Sequence, residues 1–415
     1  MIKISKNTSA RKVFLWNAIG SACNAFSTMV ILMVINRFYG QFEGGIVTIA
    51  LALAQQMLTI SNFETATFYV TDSKKETGFS VHLSTKTILF IVAVIVSVAI
   101  SLYKYDFYKA VIVICFCIYK ATDGFATLTT GALQREGRLD LAGISLTFKT
   151  ITSIVALIVV SLATKNLMLA SILMVVVGVF WTLFIDLGMV ACFLPIKFDF
   201  SIKKITKLIF DCAPLFLTIF LFTYIINQPK YVIDSFLTEE SQNAFGIIFL
   251  PSAVITMLSL FIYRPMLTTL TNYWSQNERK KFFGLVIKVS LILLGLTAIC
   301  VVGGAVLGVP ILSLIFGVDL NGMEIELGLI IIGGGLYAFS TLLYNVLAIF
   351  RKQKLMLVAC ATVYVFAIVV TKPLTVAFNL NGASLSYALC NLMLSVLLLV
   401  CCLVTTKKKG VCVDG

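Results

Sequence analysis

The chain has 415 residues, 60% of them hydrophobic and only 12% charged, with a mean hydropathy of +1.02. That balance excludes an ordinary soluble domain and reads as an all-α polytopic membrane protein. A formal net charge of +13 would suggest nucleic acid as a partner of a soluble chain. Here the cations sort by loop, which the positive-inside rule explains without nucleic acid.

Charged residues gather in short clusters between apolar runs of roughly 20 residues, the length that crosses a bilayer as a helix. A transmembrane barrel would alternate in segments of about ten. The first run, 13–35, follows Lys3, Lys6, Arg11 and Lys12 as a signal peptide would. It is too long for a signal core and no small-residue cleavage site follows, so it reads as an uncleaved first span. The remaining spans fall at 43–69, 83–103, 106–128, 139–162, 166–192, 208–232, 243–266, 284–307, 327–349, 355–371 and 382–404. About twelve helices are thus expected. The 11 cysteines lie mostly inside these runs without CxxC spacing, as small apolar fillers.

Basic residues recur on one side: Lys3, Lys6, Arg11 and Lys12; Lys74, Lys75 and Lys86; Arg135 and Arg138; Lys197, Lys203, Lys204 and Lys207; Arg279, Lys280 and Lys281; Arg351, Lys352 and Lys354; Lys407, Lys408 and Lys409. The other side holds Arg37, Lys104, Lys109, Lys165, Lys230 and Lys372. Both termini are therefore expected in the cytoplasm. The longest outward connection contains Val309 to Gly317, too short to span and read as an interfacial or re-entrant piece. Ala132-Leu133-Gln134-Arg135-Glu136-Gly137-Arg138-Leu139-Asp140-Leu141 can be laid over Ala348-Ile349-Phe350-Arg351-Lys352-Gln353-Lys354-Leu355-Met356-Leu357. Two six-helix halves, 1–195 and 196–415, are expected as parallel repeats about an axis along the membrane normal.

Polar stripes mark the opening spans of each half. Asn17, Ser21, Asn24 and Thr28 share one face of span one, and Gln55, Thr59 and Asn62 one face of span two, with Glu64 close by. Span eight carries Ser252, Thr256, Ser259 and Tyr263, followed by Arg264-Pro265. In span seven Asn227, Lys230 and Asp234 share a face if the helix continues through Pro229, which must otherwise end or kink it. Such residues also serve as interhelical glue; their corresponding places in the two halves favour a water-filled central cleft.

Charges within the apolar runs are costly. Lys120 and Asp123 lie one turn apart in span four, and Lys149 lies mid-span in five; they form either an internal ion pair locking the first half or part of a transport path. Asp186, Asp211 and Lys288 fall near span ends and are expected to snorkel to the interface. Glu64 and Arg264 would bind a ligand or form a gate on the cytoplasmic side, and Arg37 would do the same opposite Lys230. Lys372-Pro373 is expected to close span eleven. No GxxxxGK[ST] motif is present, and the single histidine, His82, is placed on a cytoplasmic loop. ATP hydrolysis, a histidine-based metal site and a histidine-dependent triad are therefore unsupported, as is catalysis generally.

Several stretches resemble the polysaccharide (Wzx-like) flippases of the multidrug, oligosaccharidyl-lipid and polysaccharide exporter superfamily. These are Asn36-Arg37-Phe38-Tyr39-Gly40 with Glu43-Gly44-Gly45; Asn227-Gln228-Pro229-Lys230-Tyr231-Val232-Ile233-Asp234 with Phe245-Gly246-Ile247 and Leu260 to Pro265; Pro310 to Gly317; and Asn381-Gly382-Ala383-Ser384-Leu385-Ser386-Tyr387-Ala388, with Asn379 where that family commonly has glycine. The resemblance implies two six-helix bundles around a central cavity in the bacterial cytoplasmic membrane. It further implies alternating access and export of an undecaprenyl-diphosphate-linked oligosaccharide, without a cofactor. Polysaccharide polymerase or assembly proteins would then be partners. On this reading Lys230, Arg264, Arg37, Lys120 and Lys149 meet the diphosphate, and Asn24, Asn62 and Asn227 meet sugar hydroxyls. Asp123, Glu64 and Asp234 are candidates for coupling a proton or sodium or for gating, and Pro229 for the bend of a gate. The alternatives are an ion-coupled drug/cation antiporter of the same superfamily, which should have an acidic cavity, and a membrane-embedded polymerase or ligase, which should carry catalytic groups on outward loops.

Impermeant thiol labelling of single cysteines is expected to find a cysteine at Lys280 inside the cell and one at Glu239 outside. The reverse pattern would overturn the topology.

Overall fold

The computed structural model describes residues 9–72 and 77–410. Lys3, Lys6, Lys74 and Lys75 lie outside the described residues, as do the side chains of Lys407, Lys408 and Lys409. The described chain is helical: α1 Ala10–Phe38, α2 Gln41–Asn62, α3 Thr65–Thr71, α4 Phe79–Lys104, α5 Phe107–Arg135, α6 Leu139–Thr164, α7 Leu167–Phe180, α8 Leu187–Ala191, α9 Ile202–Phe236, α10 Glu239–Ser275, α11 Arg279–Gly303, α12 Val309–Phe316, α13 Glu324–Ile349 and α14 Gln353–Gly410. A π-helical turn, Trp181–Asp186, joins α7 to α8, and another, Gly304–Gly308, joins α11 to α12.

Eleven of these continuous helices are long and apolar enough to cross a membrane. The last counts twice. As a straight rod its 58 residues would extend about 87 Å at 1.5 Å per residue. At Asn379 the backbone turns to φ 51°, ψ −131°, and beyond it Gly382 lies against the Leu374 carbonyl, where any Cβ would overlap. The chain doubles back there, so the expected twelve spans are present.

Four boundaries differ from expectation. The second span stops at Asn62, because Phe63 (φ 43°) and Glu64 (φ 55°) both turn left-handed before α3. Val309 to Phe316 is no separate re-entrant piece: it continues the preceding helix, giving one of 38 residues, Arg279–Phe316. Lys372-Pro373 does not close span eleven, which runs to Asn379. Nor does Pro229 end its helix, since α9 remains helical from Ile202 to Phe236. A proline in mid-helix forfeits its own N–H donor, yet the backbone stays helical beyond Pro229 to Phe236.

By contact the chain divides into two compact units between Phe220 and Leu221. In the first, α5 is the hub. Gly124 lets it approach the α2 backbone at Leu58 and Ser61, Gly131 faces Val70 of α3, and Gly178 of α7 receives the Tyr119 ring. Gly20 and Gly143 bring α1 and α6 together backbone to backbone. The first part of α9 belongs here, with Ile205, Leu208 and Cys212 packed on Val81 of α4.

The hub of the second unit is α13. Successive residues point about 100° apart around a helix of 3.6 residues per turn, and three successive glycines there meet three neighbours. Gly333 receives Tyr387 of α14, Gly334 abuts Ser252 of α10, and Gly335 abuts Thr297 of α11. Lipid offers no hydrophobic drive for helix association, so close van der Waals contact between small residues takes its place. Both hubs are the fourth long helix of their six, and each packs on the second and third of its set. That ordinal correspondence accords with the internal repeat.

Gly334→Val is expected to destabilise the detergent-purified protein by about 1–3 kcal/mol through overpacking, read as a lowered thermal midpoint. Gly328→Ala, on the same helix with no atom within 4 Å of the added carbon, should leave the midpoint unchanged or raised.

Candidate functional site

Where α2 ends, its last carbonyls lose their helical partners and carry the negative end of the helix dipole. The ammonium of Lys86, from α4, fills that position. Five acceptors surround its three N–H groups: Ser61 O (3.3 Å), Asn62 O (2.7 Å), Asn62 Oδ1 (3.1 Å), Gly124 O (2.9 Å) and Thr127 Oγ1 (2.9 Å). Asn62 passes the connection on, its Nδ2 donating to Glu64 Oε1 at 2.6 Å, while Thr67 donates to Glu64 Oε2 at 2.6 Å. Lys86 is fully buried, so its assignment to a cytoplasmic loop is corrected. His82 is corrected likewise. It is buried within α4, its ring edge-on to Tyr69 at 5.1 Å.

A second polar cluster lies among α1, α5 and α6. Lys120 and Asp123, one turn apart on α5, pair at 3.0 Å. Lys149 of α6 reaches the other oxygen of the same carboxylate at 2.8 Å and also donates to Thr122 (2.8 Å) and Thr182 (3.1 Å). Lys120 donates to Asn24 Oδ1 at 3.3 Å. Both oxygens of Asp123 therefore hold an ammonium. Close by, Asp186 accepts from the Ser145 hydroxyl, which in turn accepts from Trp181 Nε1 at 2.7 Å. Asp186 is buried and does not snorkel as expected. The π-helical turn Trp181–Asp186 places an extra residue in the helix and directs Thr182 and Asp186 inward. Asp211 and Lys288 are exposed, each in the first third of its helix.

In the second unit the unbroken α9 keeps Asn227 and Lys230 on one face, on either side of Pro229. Lys230 Nζ donates to Asn227 Oδ1 at 3.3 Å and stands 3.9 Å from the centre of the Phe249 ring of α10. Neither of these partners carries charge. Asp234 is half-buried one turn further along. On the facing helix the stripe residue Ser252 hydrogen-bonds the Tyr387 hydroxyl at 2.8 Å, so it serves as interhelical glue. Arg264 and Arg37 are exposed, each on its own unit.

Of the residues anticipated from sequence, then, Asn24, Lys120, Asp123 and Lys149 converge, Asn62 joins Glu64, and Asn227 joins Lys230. Sequence reasoning misses Lys86, Asp186, Thr182 and Phe249. Lys86 is hidden because it stands at the start of the span expected at 83–103, where a lysine counts with the basic cluster on that side. The helix-start signal Gly78 before Phe79 moves the span boundary outward and exposes it. Among the described residues no group of three or more His, Cys, Asp or Glu side chains could hold a metal ion.

No family model and no curated protein matches the sequence. Solved structures do match in fold. A structure titled as the lipid II flippase MurJ in an inward closed conformation aligns with a TM-score of 0.69 at 14% identity, over 92% of this chain and 87% of that one. A ligand complex of the MATE multidrug transporter DinF-BH aligns with a TM-score of 0.67 at 15% identity, over 94% of each chain. An inward-facing multidrug resistance MATE transporter of the MOP superfamily aligns with a TM-score of 0.63 at 14% identity, over 98% of this chain and 96% of that one. The chain has the fold of MOP-superfamily transporters.

Asp123→Ala is expected to cost about 3–5 kcal/mol, because it strands two buried ammonium groups. Removing all three charges with Lys120→Met, Asp123→Leu and Lys149→Met should recover most of that loss. Thermal unfolding in detergent checks both, and equal damage in the single and triple variants would show that the cluster does not act as a unit.

Proposed function

We propose that the protein flips an undecaprenyl-diphosphate-linked oligosaccharide from the cytoplasmic to the outer leaflet of a bacterial cytoplasmic membrane by alternating access, with both termini in the cytoplasm. The observation that carries this reading is the sign of the charge held within the spans. Lys86, Lys109, Lys120, Lys149 and Lys230 stand there against Asp123, Asp186 and Glu326, while Asp140 pairs with Arg138. Holding cations at that depth is costly, and an excess of them suits an anionic headgroup that has to cross the same region.

Lys230 is the residue assigned to the diphosphate. An ammonium has three donors; Asn227 takes one and the Phe249 face supports the charge from the side. Charge-assisted bonds from the remaining N–H groups to phosphate oxygens would replace water around the headgroup. Arg37 and Arg264, exposed on their helices, supply further cations along the path, and Asn24, Asn62 and Asn227 contact sugar hydroxyls. Asp123 serves the fold, since both of its oxygens are engaged. That leaves Glu64 and Asp234 as the candidates for gating or for coupling a proton or sodium, with Pro229 as a bend. The N-terminal and C-terminal six-helix halves are the moving parts, and polymerase or assembly proteins would receive the exported unit.

The fold is shared with DinF-BH, a MATE multidrug transporter, which supports multidrug antiport as the second reading. Lys230→Ala is expected to abolish surface polysaccharide in cells while the protein stays in the membrane at normal abundance. Normal polysaccharide with increased drug sensitivity would favour the antiporter.

A further inference from the structure

One end of the second unit holds a cleft that neither the buried lysines nor the polar stripes account for. It opens where α9 passes into α10, beside the first turn of α13 and the reversal within α14, an open depression of about 790 Å³. Helix direction places it opposite the Arg279 and Arg351 turns. On the topology proposed above, that end faces outward.

The lining combines three kinds of group. Glu326 of α13 is only 7% exposed, and its Oε2 accepts no hydrogen bond among the described residues. Asn379, at the α14 reversal, and Asn381, just beyond it, are exposed. Phe236 and Phe378 stand at the rim, 48% and 61% exposed. A carboxylate oxygen without a donor is expensive to bury, and an Asn at φ 51° holds a backbone conformation favoured by glycine. Strain and unmet polar groups of this sort collect at ligand sites.

Chemistry narrows the occupant. Anions are disfavoured, because Glu326 would repel them. Protein sites for calcium supply about six to eight oxygen ligands, and no group of three or more His, Cys, Asp or Glu side chains that could hold a metal ion exists among the described residues. A lipophilic cation would meet the Lys372 ammonium, which already lies 4.7 Å from the centre of the Phe236 ring. What remains is a neutral ligand rich in hydroxyl groups with apolar C–H faces. Its hydroxyls donate to the carboxylate and exchange bonds with the two amides, and its C–H faces rest on the rings. The volume falls in the ordinary range of small-molecule sites.

We infer that this cleft is a carbohydrate-binding site, separate from the Lys230 site, that holds neutral sugar rings at the outer end of the second bundle. Its outward placement rests on the proposed topology; the binding chemistry does not.

The test uses the purified full-length protein in detergent, titrated separately with glucose, galactose, mannose and N-acetylglucosamine and read by saturation-transfer difference NMR. At least one sugar is expected to bind saturably. Glu326→Gln and Asn381→Ala should each weaken binding about tenfold, the loss of one hydrogen bond involving a charged or amide group. Lys230→Ala should leave it unchanged, so that failure here and failure of the flippase reading are told apart. Asn381 is exposed, so its substitution tests the site without threatening the fold. No saturable signal from any of the four sugars, or binding that both substitutions leave intact, overturns the proposal. So does binding of sodium or tetraphenylphosphonium in place of sugars that is lost on Glu326→Gln, which would make the carboxylate a cation ligand.

Discussion

Lys149 and Lys120 share one carboxylate, and neither can leave it without stranding an ammonium inside the first unit. Water would forgive such a loss; a bilayer does not, because no solvent stands by to replace the partner. The same constraint explains Lys86, whose ammonium sits where α2 has run out of its own donors. These two clusters tie α1, α2, α4, α5 and α6 together by groups that must be met from within the protein. Buried ion pairs are seldom a net gain in stability over apolar packing. Here the clusters join helices, since Lys86 reaches from α4 to α2 and α5, and Lys149 from α6 to α5.

Around that polar skeleton the helices are held by closeness. Gly124, Gly143 and the Gly333-Gly334-Gly335 run remove side chains at the crossings, so that backbones and neighbouring side chains fill the space. Both units place their hub at the fourth long helix. The difference between them is chemical. The first unit is laced by charge, whereas the second relies on hydroxyl pairs such as Ser252 with Tyr387 and Ser340 with Ser395, leaving Lys230 in contact with an amide and a ring. A cation whose contacts are neutral keeps more of its field for a ligand than one already bonded to a carboxylate, which is why Lys230 and not Lys149 is assigned to the substrate.

Part of this site was legible in the chain. Lys120 and Asp123 stand at i and i+3, a spacing that puts them on one helical face whatever surrounds them, and Asn227 and Lys230 repeat that spacing. Helical periodicity is local, so it survives in one dimension. Asp186 misleads for the opposite reason. Its distance from the end of an apolar run suggests an interfacial carboxylate, but the π-helical turn rotates it inward toward Ser145, and hydropathy carries no record of such a turn. Glu64 reads as part of a continuous span because the apolar run does not break where the backbone does. The turn at Phe63 and Glu64 is stabilised from outside, by Lys86 reaching across from α4.

By itself the sequence determined that the chain is helical, that it enters the membrane, and about how many times it crosses, because bilayer thickness and backbone hydrogen bonding convert runs of apolar residues directly into spans. It also marked Lys230 as unusual. Only the tertiary structure decided which charges cancel. Lys86, Lys120 and Lys149 look alike in one dimension, yet one caps a helix and two divide an aspartate, while Lys230 meets an amide and the face of a phenylalanine. Charge cancellation falls off over a few ångströms, and while Lys120 stands three positions from Asp123 on the same helix, Lys149 comes to it from 26 positions away.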